Sequence, residues 1–223
     1  MRDDAIKKYA AEVIGTFALV FAGAGAIIVN DLSHGAITHV GIALTFGLVI
    51  MVMIYALGDV SGAHFNPAVS FGFWAAGRFP AREMGIYTVC QCLGALLASV
   101  MLRFMFPSHA TLGITTPATG VSDLRAMCFE GVLTFFLVFV ILNVTQGAKE
   151  KGAFAGTAIG GTIALDALFG GPITGASMNP ARSFGPAALV SHFQGLWIYI
   201  IGPLIGALAA ALACKVVRDH NHK

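Results

Sequence analysis

A short phrase occurs twice, as Ser61-Gly62-Ala63-His64-Phe65-Asn66-Pro67-Ala68-Val69 and as Thr174-Gly175-Ala176-Ser177-Met178-Asn179-Pro180-Ala181-Arg182, in a chain otherwise made of long apolar segments. Asn before Pro starts a helix: Asn is a good N-cap, and Pro at the first helical position gives up an N–H that has no intrahelical acceptor. Each start is followed by a short helix-compatible stretch, 67–76 and 180–189. Such a stretch is about 15 Å long, about half the thickness of a bilayer core. Two half-helices in apolar surroundings are the expectation.

With 57% hydrophobic and 11% charged residues, the chain lies far from the composition of a soluble domain, and its apolar runs reach membrane-spanning length. Six spans are expected near 10–29, 39–57, 84–104, 126–145, 154–169 and 196–217, an even number that leaves both termini on one side. Arg2, Lys7, Lys8, Arg78, Arg82, Lys149, Lys151, Lys215, Arg218 and Lys223 gather on that side, against Arg103 and Arg125 on the other. The positive-inside rule then makes the termini cytoplasmic in a multi-pass protein of the plasma (cell inner) membrane. A net charge of +2 spread over these short segments offers nucleic acid no basic surface. Met1-Arg2-Asp3-Asp4 leads into the first span without a small-residue cleavage site, the pattern of a retained helix. Cys90, Cys92, Cys128 and Cys214 form no CxxC pair; they read as small hydrophobes, with neither a disulfide framework nor a metal site supported. No cofactor is expected.

The duplication extends beyond the Asn-Pro-Ala phrases, since Ala11-Glu12-Val13-Ile14-Gly15-Thr16-Phe17 in the first span echoes Phe129-Glu130-Gly131-Val132-Leu133-Thr134-Phe135 in the fourth. One channel-like domain over 1–223 is expected, with repeat halves 9–106 and 123–217. Each half holds three spans, so the second copy enters the membrane from the opposite side and the repeat is inverted. The fold class is all-α: six transmembrane helices plus two re-entrant half-helices meeting near the midplane. Irregular backbone at that depth survives only when packed in protein or lining a watery cavity. A pore meets that requirement, with both helix N-termini and the amides of Asn66 and Asn179 directed at its centre. Glu12 and Glu130 are costly inside a membrane. Their matched positions suggest that they hold the loops leading to the half-helices; a proton relay is the alternative.

At these residues the chain resembles the aquaporin and glycerol-facilitator superfamily, the major intrinsic proteins, from Glu12 to the sixth span. The two phrases, in HFNPAV and MNPARSFGP contexts, each following a Glu-containing span, carry the resemblance. It implies a homotetramer with a pore in each protomer, passing uncharged molecules and excluding ions and protons. The pore centre would be Asn66, Pro67, Ala68, Asn179, Pro180 and Ala181. By family spacing, the outer constriction falls on Phe46, Ala167, Ala176 and Arg182, and His64 stands on the cytoplasmic side of the centre, as a solute contact or a structural histidine. Water-selective members place His where Ala167 stands, and glycerol facilitators an aromatic where Ala176 stands. Two methyl groups therefore imply a wide ring, polar at Arg182. The stretch 168–178 looks most like the nodulin-26-like branch and its bacterial relatives, associated with water, glycerol, urea and neutral hydroxides such as boric, silicic and arsenous acids. Asp166 adjoins Ala167 and, about 100° away around a helix, is expected to find a partner in the protein wall; a one-residue slip would turn it to the pore instead.

Three other classes compete with a passive channel: an ion-coupled transporter, a membrane enzyme and an adhesive or structural membrane protein. A strictly water-selective pore is the near alternative. An ion-coupled transporter shares inverted repeats and half-helices, yet only Glu12, Glu130 and Asp166 supply embedded carboxylates. Ser61, His64 and Asp59 tempt a hydrolase reading, but neither a GxSxG elbow nor an HExxH pair accompanies them, so the chain is not read as an enzyme.

Overall fold

The computed structural model describes residues 2–146 and 153–217. Its described residues form eight α-helices: α1 (Arg2–Leu32), α2 (Thr38–Ser61), α3 (Pro67–Ala75), α4 (Ala81–Met105), α5 (Asp123–Val144), α6 (Ala155–Thr174), α7 (Pro180–Leu189) and α8 (Ile198–Val217). Six are long, and α3 and α7 are the half-helices. Five of the long helices are both long and apolar enough to cross a membrane. The remaining one, α6, has 20 residues but is diluted by Gly156, Gly160, Gly161, Gly170, Gly171, Asp166 and Pro172. Of the basic residues on which the expected cytoplasmic face rests, Lys149, Lys151, Arg218 and Lys223 lie outside the described residues.

The outer surface is apolar. Leu44, Leu48 and Val52 on α2, and Val89, Leu93 and Leu97 on α4, are exposed at helical spacing, the reverse of a water-facing helix and the pattern expected of a surface bathed in lipid. The interior holds small residues that let helix backbones touch. A Cβ at Gly94 would collide with the Val13 carbonyl where α4 meets α1, and one at Gly206 with the Gly131 carbonyl where α8 meets α5. The second crossing repeats the first, as an inverted duplication requires, and small-residue contacts of this kind are how helices associate where lipid supplies no hydrophobic drive.

The half-helices knit the halves together. α3 packs mainly on α8, with α4 and α5 beside it, whereas α7 packs mainly on α4. One core cluster accordingly joins Val69 and Ala68 of α3 to Leu137, Val138 and Ala207, and a second joins Ala181 of α7 to Val20, Ala95 and Ala98.

The long helices exceed the expected spans by a few residues at most ends. The largest difference is at α1, which begins at Arg2 rather than near 10; α6 continues past the expected end at 169 and through Pro172 to Thr174. Pro172 has no N–H for the Leu168 carbonyl. His39, at the start of α2, supplies the missing donor: its Nε2 donates to the Leu168 carbonyl at 2.7 Å.

Candidate functional site

Both half-helices begin alike. Asn66 and Asn179 have extended backbone (φ −157° and −146°), with Pro67 and Pro180 next. The Asn66 side-chain oxygen accepts from the Ala68 N–H at 2.8 Å, and that of Asn179 accepts from Ala181 at 3.0 Å and Arg182 at 3.2 Å. The amide nitrogens have a further task. Asn66 Nδ2 donates to the Met178 carbonyl at 2.8 Å, and Asn179 Nδ2 to the Phe65 carbonyl at 2.9 Å. Each asparagine thus caps its own helix and ties itself to the opposite loop, so one of its two amide protons is spent on protein rather than directed to the lumen.

The loops before the caps are matched and strained. Gly62 and Gly175 each end a long helix at φ +85°, and Ala63, Phe65, Ala176 and Met178 also take positive φ, which is costly for residues with a Cβ. Buried carboxylates stand against this cost. Glu12 accepts from the His64 N–H (3.0 Å), the Phe65 N–H (2.8 Å), Ser61 Oγ (2.7 Å) and Gln91 Nε2 (2.8 Å). Glu130 accepts from the Ser177 N–H (2.9 Å), the Met178 N–H (2.8 Å) and Thr174 Oγ1 (2.7 Å). Tyr87 and Tyr199 complete the match, their hydroxyls donating to the carbonyls of Ser61 and Thr174 at 2.7 Å each. Sequence reading overlooked Tyr87, although aligning the third span of each half would have set it beside Tyr199.

A cavity of about 560 Å³ runs beside these loops. α2 lines it from Phe46 to Tyr55 and Asp59. Phe46, Ala167, Ala176, Arg182, Asn66, Asn179, His64, Asp59 and Thr145 all line it. The four residues expected at the outer constriction thus line one cavity, although they come from α2, α6, the second loop and α7. The Arg182 guanidinium carbon lies 5.1 Å from the Phe46 ring centroid, within cation–π range. Arg182 Nη1 donates to the Gly113 carbonyl at 2.8 Å, while Nε and Nη2 have no acceptor among the described residues. The loop 106–122 is further held by a chain in which Thr115 donates to Ser183 (2.7 Å), itself 2.6 Å from Ser177.

Asp166 departs from expectation. It is buried and absent from the cavity lining, but its carboxyl oxygens find no hydrogen-bond partner among the described residues. The helix turn does carry it away from the pore; the expected partner in the wall is not there.

The family model for major intrinsic proteins matches residues 1–214. The chain belongs to the major intrinsic protein family. Among relatives of this family member, a rice protein named aquaporin NIP1-1 (Oryza sativa subsp. japonica) is 46% identical over 217 residues, covering 97% of this chain and 76% of the relative. Nodulin-26 of Glycine max is 45% identical, covering 96% and 78%. The aquaglyceroporin of Plasmodium falciparum has the same fold, with a TM-score of 0.85 over 96% of this chain and 98% of that one, at 24% identity. The resemblance to the nodulin-26-like branch stands, and the chain is a membrane channel for water and small neutral solutes rather than an enzyme.

Proposed function

We propose that this channel passes glycerol, urea or neutral hydroxides such as boric, silicic or arsenous acid beside water, passively, and excludes ions and protons. The observation that carries the reading is that Ala167 and Ala176 line one cavity together with Phe46 and Arg182; two methyl groups leave room where larger side chains would close a ring. Arg182 supplies a fixed cation and, through Nε and Nη2, donors with no acceptor among the described residues, suited to a passing oxygen and hostile to cations. The N-terminal ends of α3 and α7 meet at the centre, where their positive ends add to that barrier.

In this reading Asn66, Pro67 and Ala68 with Asn179, Pro180 and Ala181 form the pore centre, and Glu12 and Glu130 hold the loops rather than relay protons. The protein acts as a homotetramer in the plasma (inner) membrane with cytoplasmic termini, each protomer carrying its own pore.

Stopped-flow shrinkage of proteoliposomes tests the reading. Water, glycerol, urea and boric acid should all cross faster than through plain lipid, without saturation. Ala167→His should keep water flux while lowering that of glycerol-sized solutes, because added bulk and a donor narrow the ring. A wild-type channel that passes water alone would instead support the strictly water-selective alternative.

A further inference from the structure

We propose that Gln91 positions His64 so that its ring offers the pore a hydrogen-bond donor and no acceptor, with Ser70 as the link. This deepens the channel reading, since it concerns what the lumen meets below the asparagine pair.

The order of donors follows from chemistry. Glu12 meets four donors, the saturated arrangement of an ionised carboxylate, which only accepts. The end of Gln91 that faces it is therefore the NH2 group, which fixes the orientation of the amide. The same nitrogen lies 3.0 Å from Ser70 Oγ, so the second amide proton goes to Ser70. Ser70 Oγ in turn lies 2.9 Å from His64 Nδ1. A serine hydroxyl has one proton, and among the described residues Ser70 meets no acceptor but this ring nitrogen. The hydroxyl therefore donates to Nδ1, which must carry the lone pair, and the ring proton sits on Nε2.

Nε2 has no hydrogen-bond partner among the described residues, and the ring lines the channel cavity. Phe73 stacks on the ring at 4.6 Å between centroids, and Phe79 and Tyr87 stand against it at 4.7 and 5.2 Å, so it cannot turn over without disturbing three aromatic neighbours. The lumen thus meets an N–H and not a basic lone pair. A donor suits a neutral oxygen in transit, whereas a lone pair there would accept a proton from hydronium. The second half has no counterpart: Ser177 stands in the place of His64, and Pro203 in that of Gln91.

Solid-state NMR of the full chain in bilayers, with 15N-labelled histidine, reads the tautomer without any flux measurement. The His64 signals are identified by their loss in His64→Asn. Wild-type protein at neutral pH should show a bare Nδ1 and a protonated Nε2 as a single form. Gln91→Met keeps the side-chain length but removes the donor, and should add a second form protonated at Nδ1. A proton on Nδ1 in the wild type, or a single unchanged tautomer in folded Gln91→Met, would overturn the proposal. Should Gln91→Met not fold, Ser70→Ala carries the same test: mixed tautomers support the link, and an unchanged single form refutes it. Absence of solute flux would remove the channel reading and leave the tautomer result standing.

Discussion

Asn66 and Asn179 are each asked to be an acceptor at one end and a donor at the other. The cap uses the side-chain oxygen, and the link to the opposite loop uses the nitrogen. Asn179→Asp separates the two tasks, because a carboxylate caps about as well as an amide but sets an oxygen against the Phe65 carbonyl. We expect a loss of about 1–3 kcal/mol, the cost of an unmade buried hydrogen bond, seen as a lower midpoint in thermal unfolding; an unchanged midpoint would show that the cross-loop bond carries no stability. Arg182 is held by the Gly113 carbonyl and packed on Phe46. Arg182→Val keeps neither charge nor donors, and should raise proton or cation leak in proteoliposomes while water flux persists. Equal leak in a folded, water-permeable variant would remove the barrier role.

Among the elements, α6 depends most on a distant partner. Its last turn continues past Pro172 with His39 of α2 standing in for the absent N–H, and Gly171 makes the room, since a Cβ there would meet His39 Cε1 at 2.6 Å. The same bond fixes the distance between α2 and α6, the helices that carry Phe46 and Ala167. His39→Leu should therefore shift the ratio of glycerol to water flux as well as lower stability by about 1 kcal/mol. His39→Gln, which retains a donor, should restore both in part. A flux ratio identical in wild type and His39→Leu would confine His39 to stability.

At the scale of the whole molecule, the repeat halves are not separable units. α3 rests on α8 and α7 on α4, and the two loops are tied by reciprocal asparagine bonds. Losing one half strips the other of its packing and its loop anchor. The two tryptophans report this directly, Trp74 lying in α3 and Trp197 just before α8. In single-tryptophan variants made by Trp→Phe replacement, the remaining fluorophore should give the same unfolding midpoint in either half, the signature of one cooperative transition. Separated midpoints would mean that the halves unfold independently.

The helix starts at Pro67 and Pro180, the short length of the helices they open, the inverted order of the halves and the pairing of Glu12 with Glu130 were all legible from residues alone. These features are local, or they are repeated, and a repeat advertises itself by likeness. The constriction residues Phe46, Ala167, Ala176 and Arg182 were reached through family spacing, which already contains the fold. Beyond sequence reading lay the partners of buried polar atoms: His39 for the Leu168 carbonyl, Gly113 for Arg182, Gln91 and Ser70 for His64, and the carbonyls of Phe65 and Met178 for the two asparagines. In a membrane interior lipid offers a backbone carbonyl or N–H no partner, so one must come from the protein, but which of many donors comes within reach depends on how helices far apart in the chain cross. The extension of α6 through Pro172 and the orphaned carboxyl of Asp166 belong to the same class, because local pattern sets where a helix can begin, while the bonds that sustain it against a proline or isolate a carboxylate come from the other side of the bundle.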